Sequence, residues 1–200
     1  MTVAFTLRRF LRTAPFAAAQ RLVPEDALDL LRRKLFPMKQ AEASRVLAGL
    51  LTAEVPFVLA GGWAVDALVT ELRRRHSDLD VIASPEVVPL MISVLAGLGY
   101  LLAIADCEGG WWAPHKMVLR SGGGGRIEVL VLAAQQWDPL VRRAAALLGV
   151  DVDRAPVPGH IGGLEVPCLP TALQLATHDG FAMNRDQRSD SRLLVELARR

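Results

Sequence analysis

Asp78 and Asp80 alternate with the apolar residues Leu79 and Val81. On a strand, period-two geometry places both carboxylates on one face, a few ångströms apart. Carboxylates so close repel one another unless a cation sits between them. Mg²⁺ meets that need: it is hard, prefers oxygen, and is usually held by one or two carboxylates together with substrate phosphates. Upstream, Gly61 and Gly62 stand between a short apolar run and a helical pattern. Glycines there let backbone amides approach a phosphate closely, and a helix N-terminus adds a favourable dipole. Taken alone, D-x-D also fits two solvent-facing acids at a strand end, and Gly-Gly fits an ordinary structural turn. Strand, Gly-Gly, helix and then a strand bearing D-x-D is a much rarer order, and it points to metal-dependent phosphate chemistry.

The elements that must position these groups follow from periodicity. Residues 25–52 carry Leu28, Leu31 and Leu35, then Ala43, Val46, Leu47 and Leu50, at helical spacing; Pro37 divides this stretch into two helices. Val55 to Ala60 predicts a short buried strand closed by the glycine pair. Trp63 to Arg75 predicts a helix, Leu79 to Ala83 a strand, and Pro85 to Leu98 a helix ended by Gly99. Tyr100 to Ile104 and Lys116 to Arg120 predict strands, with Gly109, Gly110, Trp111 and Trp112 between them. Gly122 to Gly125, followed by Ile127 to Leu132, predicts a hairpin. Beyond Ala133 the pattern reads as helical, interrupted by a Pro- and Gly-bearing loop from Val150 to Gly163. The expected class is α/β (α+β), a small mixed sheet flanked by helices. Its parts are a basic helical extension over 1–45, a core over 46–133 and a helical C-terminal segment over 134–200.

Residues 61–80 resemble the signature of the antibiotic O-nucleotidyltransferases, lincosamide and aminoglycoside, of the polymerase-β superfamily. The matching positions are Gly61, Gly62, Trp63, Ala64, Asp66, Arg74, His76, Asp78 and Asp80; Thr70 stands where that family often has glycine. The resemblance runs over roughly residues 46–195. It implies a polymerase-β-like nucleotidyltransferase core and an enzyme that moves an NMP from an NTP to a hydroxyl of a small acceptor, releasing pyrophosphate. It also implies that the hairpin's second strand supplies a third carboxylate, Glu128. Because Ile127 and Val129 are apolar, Glu128 points away from them, toward the face of Asp78 and Asp80 if the strands are neighbours. Asp78, Asp80 and Glu128 are then the catalytic and metal-binding acids, with Glu128 completing a metal cluster or accepting the proton of the attacking hydroxyl. The C-terminal stretch from Val166 through His178, Gly180, Arg188 and Asp190 also resembles the family, but reads Asp186-Gln187 where a basic residue followed by an acid is common. That segment is expected on the acceptor side.

Other residues take their roles from this frame. Gly61 and Gly62 cradle the NTP phosphates, and Arg74 clamps them with its fork of donors. His76 either hydrogen-bonds the triphosphate when protonated or caps the approach to the strand. Arg73 and Arg75 are expected in solvent and Trp63 in the core. One of Trp111 and Trp112 either walls an acceptor pocket or is buried. His115 and Lys116 lie near enough to the hairpin to reach phosphates. Cys107 and Cys168 read as small apolar residues.

Composition sets the outer limits. In 200 residues, 52% are hydrophobic and 22% charged, with a net charge of +2. That balance supports a buried core and excludes wholesale disorder, and nothing in the totals suggests a dedicated nucleic-acid binder. No apolar run approaches the roughly 20 residues of a membrane span, and two cysteines are too few for a disulfide framework. A cytoplasmic location is expected. Positive charge is nearly all arginine, Lys34, Lys39 and Lys116 being the lysines. Residues 1–24 carry Arg8, Arg9, Arg12 and Arg21 among Phe5, Phe10, Leu11 and Phe16 without an acid. That extension keeps open an alternative of the same fold, a nucleotidyltransferase toxin acting on tRNA or protein and paired with an antitoxin. A third reading is a non-catalytic nucleotide-binding module. An oligomer, with a second subunit completing the acceptor pocket, also stays open.

Overall fold

The computed structural model describes residues 36–107, 112, 113, 115–179, 183 and 185–198. Residues 1–35, Gly109, Gly110, Trp111 and the side chain of Cys107 lie outside the described residues, and the expectations attached to them with it. The elements run α1 (Gln40–Thr52), β1 (Val58–Ala60), α2 (Gly61–Val69), β2 (Leu79–Ala83), α3 (Val88–Gly97), β3 (Tyr100–Cys107), β4 (His115–Ser121), β5 (Arg126–Val131), α4 (Trp137–Leu148), β6 (Val157–Ile161), β7 (Leu164–Cys168), α5 (Thr171–Thr177) and α6 (Arg185–Ala198). The seven strands form one mixed sheet in the order β3-β4-β5-β2-β1-β7-β6. β1 runs antiparallel to β2, while β2 and β5 are parallel, as are β1 and β7.

Alternation along the strands sorts side chains onto two faces. Leu59, Leu79, Val81, Ile127 and Val129 meet α1 and α3 through Val46, Leu47, Leu50, Met91 and Leu95, and α2 through Trp63, Ala64 and Ala67. Ala60, Ile82, Leu130 and Leu132 meet α4 and α5 through Leu140, Ala144, Leu173 and Ala176. On this second face, the residues toward the starts of β2 and β5 change from apolar to charged: Asp78, Asp80, Arg126 and Glu128. Apolar cover ends where the chemistry-bearing residues begin.

Two expectations need correction. The stretch from Val150 to Gly163 is not simply a loop within a helical segment: it leads into β6, which pairs with β7 across the turn Gly162-Gly163. Both glycines have positive φ, 57° and 82°, which a two-residue type I′ hairpin requires. Leu59 pairs with Cys168, and Leu169 N–H donates to the Leu59 carbonyl at 2.8 Å. The sheet therefore continues beyond Ala133, and the C-terminal segment is helical only in part. Pro158, Gly159 and Pro167 disguised these strands; β6 is an edge strand, where a missing donor is tolerated.

The second correction concerns the helix expected to reach Arg75. It ends at Val69 because Thr70 adopts a left-handed conformation, φ 57° and ψ 30°. Thr70 N–H donates to the Ala67 carbonyl and Glu71 N–H to that of Asp66, the pair of bonds that closes a Schellman motif. A β-branched residue is strained there, by about 1–2 kcal/mol against glycine. Thr70 is exposed. Thr70→Gly is therefore expected to stabilise the protein by about 0.5–1 kcal/mol, after glycine's greater freedom in the unfolded chain is subtracted. Denaturant unfolding checks this.

Candidate active site

The adjacency that the acids need is provided by the sheet. Asp80 pairs in register with Glu128 on β5 and with Ala60 on β1, and neighbouring strands lie about 4.8 Å apart. Asp80 Cγ and its oxygens occupy the space a Cβ would take on Gly61, whose φ is +64°. Glycine is required at 61 on both counts: an L side chain rarely adopts that φ, and any Cβ would overlap the Asp80 carboxylate. Gly61 and Gly62 form the first residues of α2 itself, so the amides of the turn coincide with the positive end of the helix dipole.

Burial, and then repulsion from Asp78 and Glu128, push the Asp80 carboxyl well above the usual carboxylate range, although Lys116 and Arg126 pull the other way. Lys116 Nζ stands 2.9 Å from Glu128 Oε2, and Arg126 forms an ion pair with Glu128 and lies 3.9 Å from Asp78 Oδ2. Lys116, Arg120 and Arg126 share the face of Glu128 by register. Burial and the neighbouring Arg126 lower the Arg120 pKa, as expected where cations crowd together. Among the described residues, no three His, Cys, Asp or Glu side chains are already arranged to hold a metal ion. The donor set nevertheless suits Mg²⁺: hard carboxylate oxygens of Asp78 and Asp80, whose repulsion the two nearby cations leave incompletely offset, with further positions for phosphate oxygens.

His76 and the basic segment lie on the other side of the glycines. His76 is 2% exposed and packs on Trp63, ring centres 4.5 Å apart. Its Nε2 donates to Asp66 Oδ2 at 2.7 Å, a carboxylate being able only to accept. Burial holds the imidazole below its ordinary pKa despite Asp66. Nε2 is taken by the buried Asp66, while Nδ1 stands 2.6 Å from where a Gly62 Cβ would be, beside the turn. Trp63 is in the core as expected.

Arg74 Nη2 also occupies the space a Cβ would take on Gly62. Arg73, expected in solvent, is instead paired through Nε with Asp66 Oδ1 at 3.1 Å and through Nη2 with Asp190; Arg75 is exposed. Asp190 Oδ2 also accepts from Arg74 Nη2 at 2.8 Å. Gln174 Nε2 donates to the Gly61 carbonyl at 3.0 Å. Sequence reasoning gave Gln174 no role in the site and Asp190 only a place in the acceptor-side segment, since both reach the glycine turn through long-range packing; Arg126, two residues before Glu128 on β5, shares its face by strand period and was given no role. Cys168 is buried and its thiol is pushed up to about 12 by desolvation, consistent with an inert apolar role.

Comparison with known proteins bears on this arrangement. The sequence model of one family, described as Aminoglycoside-2''-adenylyltransferase, matches residues 43–194. A 2''-aminoglycoside nucleotidyltransferase of Klebsiella pneumoniae is 31% identical over 83 residues, covering 34% of this chain and 47% of that protein. The chain thus spans about half the length of the curated aminoglycoside relatives it matches. A lincosamide resistance protein of Staphylococcus haemolyticus is 23% identical over 146 residues, covering 72% of this chain and 86% of that one. In three dimensions the chain is similar to the lincomycin-bound lincosamide antibiotic adenylyltransferase LnuA, with a TM-score of 0.61, 19% identity, and coverage of 80% and 99% of the two chains. The architecture is that of polymerase-β-like nucleotidyltransferases.

The crowding at Asp80 has a measurable cost to stability. Its pKa is raised by folding, so its contribution to stability is greatest below the unfolded value of 3.8 and is lost as pH rises through the folded value. Above the unfolded value, the cost of ionising Asp80 opposes folding. Asp80→Asn keeps the shape and cannot ionise, so without metal it is expected to melt higher, by about 2–4 °C per kcal/mol of relieved repulsion. The gain shrinks as pH is lowered toward 4. Paired thermal melts of wild type and variant across that range check it.

Proposed function

Since this chain belongs to the aminoglycoside-2''-adenylyltransferase family, we propose that it is an antibiotic nucleotidyltransferase: it moves AMP from ATP to a hydroxyl of an aminoglycoside or lincosamide and releases pyrophosphate. The observation that carries this reading is the in-register pair Asp80 and Glu128 beside the left-handed Gly61. It supports a reading in which the two carboxylates take different duties beside one phosphate-binding turn.

In this reading the triphosphate lies along the amides of Gly61 and Gly62, with Arg74 behind the turn and the α2 dipole favouring its charge. Asp78 and Asp80 hold Mg²⁺, which when bound offsets charge on the attacking and leaving oxygens. Glu128 takes the proton of the acceptor hydroxyl. The hydroxyl oxygen then bonds to the α-phosphorus in line as the bond to the pyrophosphate oxygen breaks. Lys116 and Arg126, which face Glu128, orient that carboxylate and sit where they can meet triphosphate oxygens. ATP as donor makes the cytoplasm the place of reaction. No helix among the described residues is long and apolar enough to cross a membrane.

Pyrophosphate release with Mg²⁺ and each NTP, against aminoglycosides, lincosamides and bulk tRNA, tests the proposal. Antibiotic-dependent release that prefers ATP and disappears in Asp80→Asn is the expected result. Glu128→Gln should lower kcat by about 10²–10⁴-fold, the usual contribution of a positioned general base. Release with tRNA alone would overturn the small-molecule acceptor.

A further inference from the structure

Two polar side chains on the C-terminal helices are buried against the phosphate turn rather than against an acceptor pocket. Gln174, on α5, is 1% exposed, and the hydrogen bond from its Nε2 to the Gly61 carbonyl leaves its Oε1 buried without a partner. Asp190, on α6, is likewise 1% exposed and divides its oxygens between Arg73 and Arg74. The Arg74 guanidinium is wedged between Asp190 and the Gly62 Cα, with its Nε buried and unpartnered. A buried amide or carboxylate is retained at a cost unless its partners are well chosen. Here the partners are the two-glycine turn, the arginine against it and the neighbouring Arg73.

We infer that Gln174 and Asp190 are positioning residues for the nucleotide: Gln174 holds the Gly61 carbonyl, and Asp190 holds the Arg74 guanidinium against Gly62, so that the C-terminal helices set the geometry of the triphosphate end of the site. The inference rests on the nucleotidyl-transfer reading above. Gly61 sits at φ +64°, a conformation glycine leaves easily in solution, so a hydrogen bond to its carbonyl fixes the direction of the amides that follow. Arg74 without Asp190 has a long flexible stem and no fixed place for its fork. Asp190 supplies the carboxylate that sets its plane, and the two arginines keep Asp190 ionised against the cost of its burial.

The test uses the full chain, with Mg²⁺, and measures binding of a non-hydrolysable ATP analogue and of adenosine by titration calorimetry. The variants are Asp190→Asn, Gln174→Met, Arg74→Met and Arg74→Met/Asp190→Asn. Asp190→Asn and Gln174→Met are expected to weaken the triphosphate analogue by about tenfold or more, the size expected for hydrogen bonds serving a charged ligand. Adenosine, which lacks phosphates, and the KM of the acceptor should stay within about twofold. The double variant should bind the analogue no worse than Arg74→Met alone, because Asp190 acts through Arg74. Equal losses for analogue and adenosine, additive losses in the double variant, or unchanged analogue binding would each overturn the inference. If Asp190→Asn does not fold, Gln174→Met, which removes no charge, decides; failure of both to fold makes the two residues structural and overturns it as well. A wild type that binds no triphosphate overturns the proposed function, and this inference with it. A wild type that binds while the variants match it overturns this inference alone.

Discussion

Like charges held together on one sheet face are the constraint around which the rest of this protein is arranged. Asp80 is forced against Glu128 by in-register pairing of β2 and β5, and against Gly61 by the β1 turn. Each carboxylate added there raises the cost of ionising the others. Lys116 and Arg126 limit that cost without removing it. The residual repulsion is what a divalent cation and a triphosphate would use together: the cation relieves the acids, and the phosphates relieve the arginines. Removing one of the cations would leave a carboxylate less compensated, a loss that typically costs 3–5 kcal/mol where the pair is buried, whereas neutralising Asp80 relieves the crowding. The site and its stability are therefore one electrostatic problem.

The same logic holds behind the glycine turn, where charges are buried but matched. Asp66 accepts from His76 and Arg73, and Arg73 continues to Asp190, which also holds Arg74. This chain of charge-assisted bonds ties α2, the segment entering β2, and α6 into one unit. It explains why the helix stops at Val69. A continuous helix through Arg75 would carry Arg73 and Arg74 past Asp66 instead of folding them back over it, and the left-handed Thr70 makes that reversal. Local strain at one exposed residue is the counterpart of two buried carboxylates satisfied.

Much of this was legible in the residues. The alternation of Asp78, Leu79, Asp80 and Val81 assigns the acids to one face whatever else the fold does, and the apolar neighbours of Glu128 send it to the same side once β2 and β5 are adjacent. The glycine pair marked a helix start, and the central strands and α3 lie close to where periodicity put them. The C-terminal hairpin was hidden because Pro158, Gly159 and Pro167 carry loop chemistry, and only pairing with β1 makes them strands. Arg73 was placed in solvent, and His76 either on the triphosphate or at the approach to the strand, because nothing in their spacing shows that Asp66 and Asp190 are buried beside them.

By itself the sequence determined which groups share a face and where the backbone must turn, since side-chain period and the left-handed freedom of glycine are properties of a few consecutive residues. Tertiary structure alone decided which buried polar group meets which distant partner: Arg73 and Arg74 with Asp190, more than a hundred positions away, and Gln174 with Gly61. The physical reason is desolvation. The strength of a charge's interaction depends on what water has been removed from around it, and that is settled only when distant elements pack.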